Sequence, residues 1–249
     1  MNNDNPLKGK NALITGAALR LGRELALALA RQGVNIIVHY NTSLKDAEKV
    51  RKEIKKTGVK SWPLQADFTN PAACDKLMTD AAGLVKKIDI LINSASIFPS
   101  GSLNSIDLED LANNMQINAW APFLLSRSFA RAEEAGQIVN FLDTRIRSYD
   151  RNHAAYHLSK KTLETLTRLM ALEYAPRITV NAVAPGLILP PKGQGKEYLE
   201  NLKGTNPLQT YGDPRDITDA VLFLLKSSFI TGQVLFVDGG RHLKGAGGG

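Results

Sequence analysis

The chain has 249 residues, of which 43% are hydrophobic and 22% are charged. This balance is typical of globular proteins and excludes a disordered or collagen-like chain. No apolar run reaches the roughly 18 residues of a membrane span, so we expect no membrane partner. The formal charge of +7 comes from basic residues dispersed along the chain, so we also expect no nucleic-acid partner.

The N-terminus and the cysteine usage indicate a cellular compartment. The stretch from Met1 to Lys10 is polar and lacks the apolar segment of a secretory signal. Cys74 is the single cysteine, which is too few for an internal disulfide or a structural zinc. We therefore expect a cytoplasmic protein with no metal site.

Short apolar runs alternate with longer segments of helical periodicity. In chain order, the sequence predicts strand 11–15, helix 21–30, strand 35–40, helix 44–56, strand 60–65, helix 71–86, strand 89–93, one or two helices within 108–132, strand 137–142, helix 154–174, strand 179–184, helix 214–225 and strand 234–237. Strands alternating with helices predict a parallel sheet covered on both faces. Since no linker divides residues 1–249, we expect a single doubly wound α/β domain with a seven-stranded, mainly parallel sheet.

Two segments depart from this alternation. Residues 187–206 are rich in Pro, Gly and Lys and are too long for an ordinary connection, so we expect a loop that contacts the substrate. Residues 244–249 (KGAGGG) are expected to form a flexible tail.

A turn of small residues, TGAALRLG at positions 15–22, follows the first predicted strand. Such a turn lets backbone N–H groups approach a pyrophosphate at the start of the next helix. The usual G-x-G-x-x-G spacing is absent, and glycine turns of this kind occur in many folds. The dinucleotide contacts expected here are Gly16, Arg20, Leu21 and Gly22.

The end of the second predicted strand indicates which dinucleotide binds. NAD enzymes place Asp or Glu there for the ribose hydroxyls, whereas this chain has HYNTS at positions 39–43. Arg20, together with amide and hydroxyl donors, suits the 2′-phosphate of NADP(H), and the contacts expected there are His39, Tyr40, Asn41 and Ser43. The alternative is that Arg20 is a surface residue and that His39 only fills the strand end.

Tyr156 and Lys160 are four residues apart and therefore share one face of the predicted helix. A nearby ammonium favours tyrosinate and lowers the pKa of the phenol. A tyrosine tuned in this way can donate a proton to a substrate that receives a hydride. Such pairs also arise by chance, so an exposed pair without function is the alternative.

An ordered set of motifs from about residue 10 to residue 240 resembles the short-chain dehydrogenase/reductase family. The motifs are TG…G at 15–22, Asp67, NSAS at 93–96, Asn118, YHLSK at 156–160 and PG at 185–186, with Ser94 standing where the family has a second asparagine. The resemblance implies a Rossmann-like sheet, NAD(P)-dependent hydride transfer and a proton relay through Tyr156, Lys160 and Asn118. It also implies a homotetramer built on helices 108–132 and 154–174.

The same resemblance implies further cofactor contacts. Asp67, with Phe68, would lie at the adenine. The cleft would be lined by Asn93, Ser94, Ala95 and Ser96, and the nicotinamide end by Pro185, Gly186 and Leu187. Asn118 has an alternative role as a helix-kink residue.

One position departs from the family pattern. Most members carry a serine 13 residues before the tyrosine, where this chain has Asp143. An ionised carboxylate would repel a developing oxyanion, but it can hydrogen-bond the N–H groups of a nitrogen heterocycle. The alternative is that Thr144 supplies the hydroxyl and Asp143 only caps a turn.

Asp143 is shared with the pteridine reductases, which the chain also resembles in TGAALRLGR at 15–23, His39-Tyr40 and NSASIF at 93–98. The resemblance implies that Phe98 stacks on a pterin, and we expect Leu189 in the substrate loop to contact the substrate as well. A core position for Phe98 is the alternative.

The expected function is therefore NADPH-dependent hydride transfer to a ring C=N bond of a dihydropteridine or dihydrofolate, with the proton from Tyr156. The alternatives are reduction of a carbonyl such as a 3-oxoacyl thioester, and a non-catalytic NADP-binding sensor.

Overall fold

The computed structural model describes residues 5–191 and 193–244. Apart from Lys244, the predicted tail lies outside these residues. Seven strands form one sheet: β1 (Asn11–Ile14), β2 (Asn35–Tyr40), β3 (Ser61–Gln65), β4 (Ile90–Asn93), β5 (Gly136–Phe141), β6 (Ile178–Pro185) and β7 (Val234–Val237). Their order is β3-β2-β1-β4-β5-β6-β7, and every neighbouring pair is parallel. The predicted seven-stranded, doubly wound sheet is confirmed.

Eight α-helices connect or follow these strands in the described residues. They are α1 (Arg20–Arg31), α2 (Leu44–Lys55), α3 (Ala72–Ala82), α4 (Leu108–Met115), α5 (Ala121–Ala132), α6 (Ala154–Glu173), α7 (Glu197–Leu202) and α8 (Pro214–Lys226). The prediction for 71–86 was too long, because α3 ends at Ala82, where Gly83 follows. The start of α8 is fixed by a capping box between Asp213 and Asp216.

Successive strand residues bury opposite faces of the sheet, as the two-residue period of a strand requires. On one face, Ile14 and Ile92 pack in a core that includes α1, α2 and α8. On the other face, Leu13 and Leu91 pack in a core that includes α3, α5 and α6. Both faces of the central strands are thus dry, which explains their almost continuous apolar sequences.

The strand order reverses between β1 and β4, since the chain proceeds outward through β2 and β3 and then returns to the other side of β1. Ligands of open α/β sheets bind at such a switch point, outside the carboxyl ends of the strands. Within residues 5–191 and 193–244, no helix has the length and apolar character needed to cross a membrane.

Candidate active site

A cleft of about 450 Å³ opens at the carboxyl ends of the strands around the switch point. Most of the residues expected to bind cofactor or substrate lie along its wall. These are Gly16, Arg20, Leu21, Gly22, Ser94, Ala95, Ser96, Phe98, Asp143, Tyr156, Lys160, Pro185, Gly186, Leu187 and Leu189. The structure therefore brings together residues that are up to 173 positions apart, from Gly16 to Leu189.

The turn after β1 is held so tightly that only glycine fits at two of its positions. Gly16 has φ +65°, and a Cβ at Gly22 would lie 2.2 Å from the carbonyl oxygen of Gly16. The hydroxyl of Thr15 accepts hydrogen bonds from the backbone N–H groups of Ser94 (2.9 Å) and Ala95 (3.0 Å), which fastens the turn to the end of β4. This close backbone packing beside an open cleft fits a dinucleotide pyrophosphate.

Arg20 stands at the mouth of the cleft. Its side chain is exposed, and its Nη2 donates a hydrogen bond to the carbonyl oxygen of Pro190 at 2.9 Å. Tyr40 is half-buried, Asn41 is exposed and Ser43 is half-buried at the end of β2, outside the cleft wall, as is the half-buried Asp67 after β3. Only Arg20 of this set lines the cleft itself.

The structure corrects the expectation that His39 faces a phosphate. Its buried ring accepts a hydrogen bond at Nδ1 from the Gly16 N–H (3.0 Å), so Nε2 carries the proton and donates to the Ala66 carbonyl (3.1 Å). Phe68 stacks on the same ring, with 4.4 Å between centroids, and is itself buried outside the cleft. Burial lowers the pKa of His39 to about 4, so the ring is neutral and supports the turn from behind.

Asn93 also lies behind the cleft rather than along it. Its amide donates to Oδ1 of Asn140 (2.8 Å) and to the hydroxyl of Ser126 (3.2 Å), both of which are buried. The expectation of a cleft-lining side chain at Asn93 is corrected, because this side chain joins β4 to β5 and α5. The three residues that follow it do line the cleft.

Asn118 occupies a π-helical segment, Gln116–Trp120, between α4 and α5. Its side chain is fully buried; Oδ1 accepts from the Ile97 N–H (2.9 Å), and the amide donates to the Ile97 carbonyl (3.0 Å) and the Ser159 hydroxyl (3.1 Å). A π-helical turn thus interrupts the helical segment at Asn118, for which a helix kink was the alternative role. These contacts join the loop after β4 to α6, one residue before Lys160. A part for Asn118 in a proton relay stays a prediction.

The hydroxyl of Tyr156 donates a hydrogen bond to Oδ2 of Asp143 at 3.0 Å. The other carboxylate oxygen of Asp143 accepts from the Arg145 N–H at 2.8 Å and caps a short 3₁₀ helix, Thr144–Arg147. Nζ of Lys160 donates to the carbonyl oxygen of Phe141 at 2.7 Å and lies 5.7 Å from the centre of the Tyr156 ring. Asp143 thus caps a turn and also contacts the phenol.

The pKa values around this pair correct one expectation. Burial, and then the negative charge of Asp143, raise the pKa of Tyr156 well above its ordinary value, which contradicts the expectation of a lowered pKa. Burial lowers the pKa of Lys160 to about 8. At neutral pH, Tyr156 is therefore a neutral phenol that carries a proton to give.

The hydroxyl of Thr144 is directed away from the tyrosine. It donates a hydrogen bond to Oδ2 of Asp238, the residue that follows β7. Thr144 lines the cleft, but its proton is engaged by Asp238. The geometry favours Asp143 over Thr144 as the partner of Tyr156.

Phe98 stands at the open side of the cleft with 39% of its surface exposed, so it is not a core residue. Its ring meets the edge of Tyr156 (4.6 Å between centroids) and stacks on His153 (4.0 Å). Leu189 lines the same cleft from the loop after β6. Contact of the Phe98 ring with a flat substrate stays a prediction, because His153 already stacks on one face of it.

Three polar cleft residues were not expected from the sequence: Arg145, Tyr198 and Arg241. Arg145 belongs to the 3₁₀ helix after β5, Tyr198 to α7 and Arg241 to a 3₁₀ helix after β7, Arg241–Leu243. None of them follows a motif with a defined spacing, so only the fold reveals that they share one wall.

Comparison with known proteins places this arrangement in a class. Residues 16–242 match the family model described as Enoyl-(Acyl carrier protein) reductase. An oxidoreductase of Mycobacterium tuberculosis is 33% identical over 94% of this chain and 92% of its own length. The 3-oxoacyl-[acyl-carrier-protein] reductase of Synechocystis sp. is 31% identical over 94% of this chain and 97% of its own length.

A solved structure shows the same fold. FolM alternative dihydrofolate reductase 1 from Brucella suis, in complex with NADP, superposes with a TM-score of 0.89 at 31% identity, over 94% of this chain and 96% of that chain. The chain belongs to the short-chain dehydrogenase/reductase family and is an oxidoreductase. The predicted family and fold are confirmed, and the NADP of that complex agrees with the cofactor expected from Arg20 and from the missing acid at the end of β2.

Proposed function

We propose that this chain reduces a ring C=N bond of a pterin-like substrate, a dihydropteridine or a dihydrofolate, with NADPH. The observation that carries the proposal is the 3.0 Å hydrogen bond from Tyr156 to Asp143. A carboxylate beside the proton donor disfavours a developing oxyanion. It suits a heterocycle whose ring N–H groups can donate to it.

The cofactor is NADP(H), and the residues that would hold it come from the turn after β1, from the ends of β2 and β3, and from the stretch after β6. Backbone N–H groups of the turn from Gly16 to Gly22 suit the pyrophosphate, because they precede α1. Arg20 supplies the positive charge for the 2′-phosphate, with donors from the end of β2. Asp67 suits the adenine, and the stretch 185–187 suits the nicotinamide end. When bound, the cofactor supplies the hydride.

The proton comes from the chain itself. Tyr156, which is neutral at pH 7, donates its phenolic proton to the ring nitrogen as the neighbouring carbon accepts the hydride. The electron pair of the C=N bond becomes the new N–H bond. The Lys160 ammonium, close to the phenol ring, stabilises the tyrosinate until a proton returns. Asp143 accepts the hydrogen bond of the phenol and thereby orients it.

The substrate ring would lie between the cofactor and Phe98. The exposed ring of Phe98 and the side chain of Leu189 would provide apolar surface for this ring. Both residues lie in a part of the cleft wall that does not belong to the turn after β1. Stacking of this kind contributes about 0.5–1.5 kcal/mol beyond the burial of area.

Replacement of Asp143 tests the proposal. Asp143→Ser restores the serine that most of the family carries. We expect kcat/KM for dihydrobiopterin to fall by about tenfold or more, because one charged hydrogen bond is lost. Activity on acetoacetyl thioesters should rise. Asp219→Asn, at an exposed position of α8, is the matched control and should change neither. Undiminished pterin turnover in Asp143→Ser would refute the role of the carboxylate.

Reduction of a carbonyl is the second candidate. The 3-oxoacyl-[acyl-carrier-protein] reductase of Synechocystis sp. favours it, and Thr144 places a hydroxyl in the same cleft wall. Wild-type turnover of an acetoacetyl thioester, without turnover of either pterin, would select this candidate.

We also propose that the chain forms a homotetramer. Leu108 on α4 is 83% exposed, and on α6 Leu169 and Leu172 are 56% and 79% exposed. Burial of these leucines between copies would remove apolar surface from water. Light scattering should give about four times the mass of one 27.1 kDa chain, and a monomer would contradict the proposal.

A further inference from the structure

Two arginines from distant parts of the chain meet in the cleft. Arg145 and Arg241 lie on the short 3₁₀ helices that follow β5 and β7, and these two helices pack against each other. Both side chains line the cleft together with Tyr156 and Tyr198. The guanidinium carbon of Arg145 lies 5.0 Å from the centre of the Phe98 ring, on the side of the site assigned to the substrate.

The carboxylates nearby already have partners. Asp143 accepts from Tyr156 and from the Arg145 N–H. Asp150 pairs with Arg145 at 3.3 Å and with His153 at 2.9 Å. Asp238 accepts from the Thr144 hydroxyl and from the backbone N–H groups of Gly240 and His242. Within residues 5–191 and 193–244, none of these three carboxylates forms an ion pair with Arg241, although the charges of Asp143 and Asp238 act on it from a distance.

Arg241 has no hydrogen-bond or ion-pair partner for its guanidinium within residues 5–191 and 193–244. Its side chain is half-buried, and burial and the positive charge of Arg145 lower the pKa of the guanidinium against the opposing negative charges of Asp143 and Asp238. The positive charge of Arg145 acts against this half-buried cation, which no direct ion pair offsets in the described residues. An anion bound between the two arginines would relieve this repulsion.

The chemistry of the pair indicates the kind of anion. Guanidinium groups present parallel N–H donors that match the two oxygens of a carboxylate. The phenol of Tyr198, in the same wall, offers one more donor. The turn that suits the cofactor pyrophosphate contributes other residues to the same cleft wall, namely Gly16 and residues 19–22.

We propose that Arg145 and Arg241 bind a carboxylate carried by the substrate beyond its reducible ring, so that the substrate is a pterin with an acidic side chain. The choice of a pterin rests on the proposed function, whereas the carboxylate subsite rests on the two arginines alone. Dihydrofolate carries such carboxylates, and dihydrobiopterin does not.

Arg241→Gln tests the subsite, because it removes the charge from a side chain that has no partner to lose. The ratio of kcat/KM for dihydrofolate to that for dihydrobiopterin should fall by about tenfold or more, since a hydrogen bond to a charged group is lost. Arg241→Lys, which keeps the charge but not the paired donors, should give a smaller fall. Arg151→Gln, at an exposed position, is the matched control and should leave the ratio unchanged.

A binding measurement separates this inference from the proposed function. N-(4-aminobenzoyl)glutamate has the carboxylates but no pterin ring, and calorimetry should detect its binding to the wild type and a loss of binding in Arg241→Gln. If this compound binds to the wild type and not to Arg241→Gln, but no pterin is turned over, the proposed function is rejected and the carboxylate subsite is kept. The subsite would be overturned if Arg241→Gln left the ratio of the two kcat/KM values unchanged. It would also be overturned if the Kd of NADPH rose by the same factor by which kcat/KM for dihydrofolate fell.

Discussion

The hydroxyl of Tyr156 donates to Asp143 rather than to Lys160, although Lys160 is only one helical turn away. Lys160 instead donates to the Phe141 carbonyl at the end of β5. The result is a protonated phenol held by a carboxylate, with a buried amine beside it. This arrangement supports the proposed role of Tyr156 as the acid of the site.

Tyr156→Phe removes that acid and keeps the ring. We expect turnover to fall by about 10²- to 10⁴-fold, the contribution of a positioned general acid. The Kd of NADPH, measured by fluorescence titration, should stay the same because the turn at residues 15–22 is unchanged. Tyr149→Phe, at a 76% exposed position, is the matched control. Full turnover in Tyr156→Phe would remove the tyrosine from the mechanism.

Gly22→Ala should disrupt the turn at residues 15–22, where we propose that the cofactor pyrophosphate binds. The added Cβ would lie 2.2 Å from the Gly16 carbonyl oxygen, so the backbone must move. We expect a loss of NADPH affinity of about tenfold or more and a lower free energy of unfolding, by about 1–3 kcal/mol as for other overpacked sites. Gly195→Ala meets nothing within 4 Å and should be neutral in both measurements. Equal behaviour of the two variants would contradict the role of the close packing.

Arg20→Ala tests the cofactor preference. Loss of a cation at the 2′-phosphate should raise the Kd of NADPH by about 10- to 100-fold, because one charged hydrogen bond is lost. The Kd of NADH should stay unchanged, because NADH has no 2′-phosphate. Arg151→Ala controls for a general loss of positive charge. An equal loss for both dinucleotides would show that Arg20 acts on the turn and not on the phosphate.

His39 should make stability fall in mild acid. Its pKa is about 4 in the folded chain against an ordinary 6.5, so between these values the unfolded chain binds a proton that the folded chain does not. The free energy of unfolding therefore falls as pH drops from about 6.5 to 4, at most by about 1.4 kcal/mol per unit. In urea unfolding at pH 7 and pH 5, the wild type should lose about 2 kcal/mol more than His39→Gln. Equal losses of unfolding free energy in the wild type and in His39→Gln would show that the His39 ring is exposed to solvent in the folded chain.

Residues whose roles depend on local spacing could be predicted from the sequence. The apolar run of β4 and the four-residue interval from Tyr156 to Lys160 fix a buried strand and a shared helix face by themselves. His39 could not be assigned in the same way, since its ring turns inward to the Gly16 N–H and not outward to a phosphate. Arg241 was missed because its place in the cleft depends on the packing of two short helices after β5 and β7.

Oxidation of NADPH, followed by absorbance, tests pterin reduction most directly, with dihydrobiopterin and dihydrofolate supplied in parallel and NADH as the control cofactor. We expect turnover of a pterin with NADPH and much less with NADH. Tight binding of NADPH without turnover of either pterin, together with turnover of an acetoacetyl thioester, would contradict it.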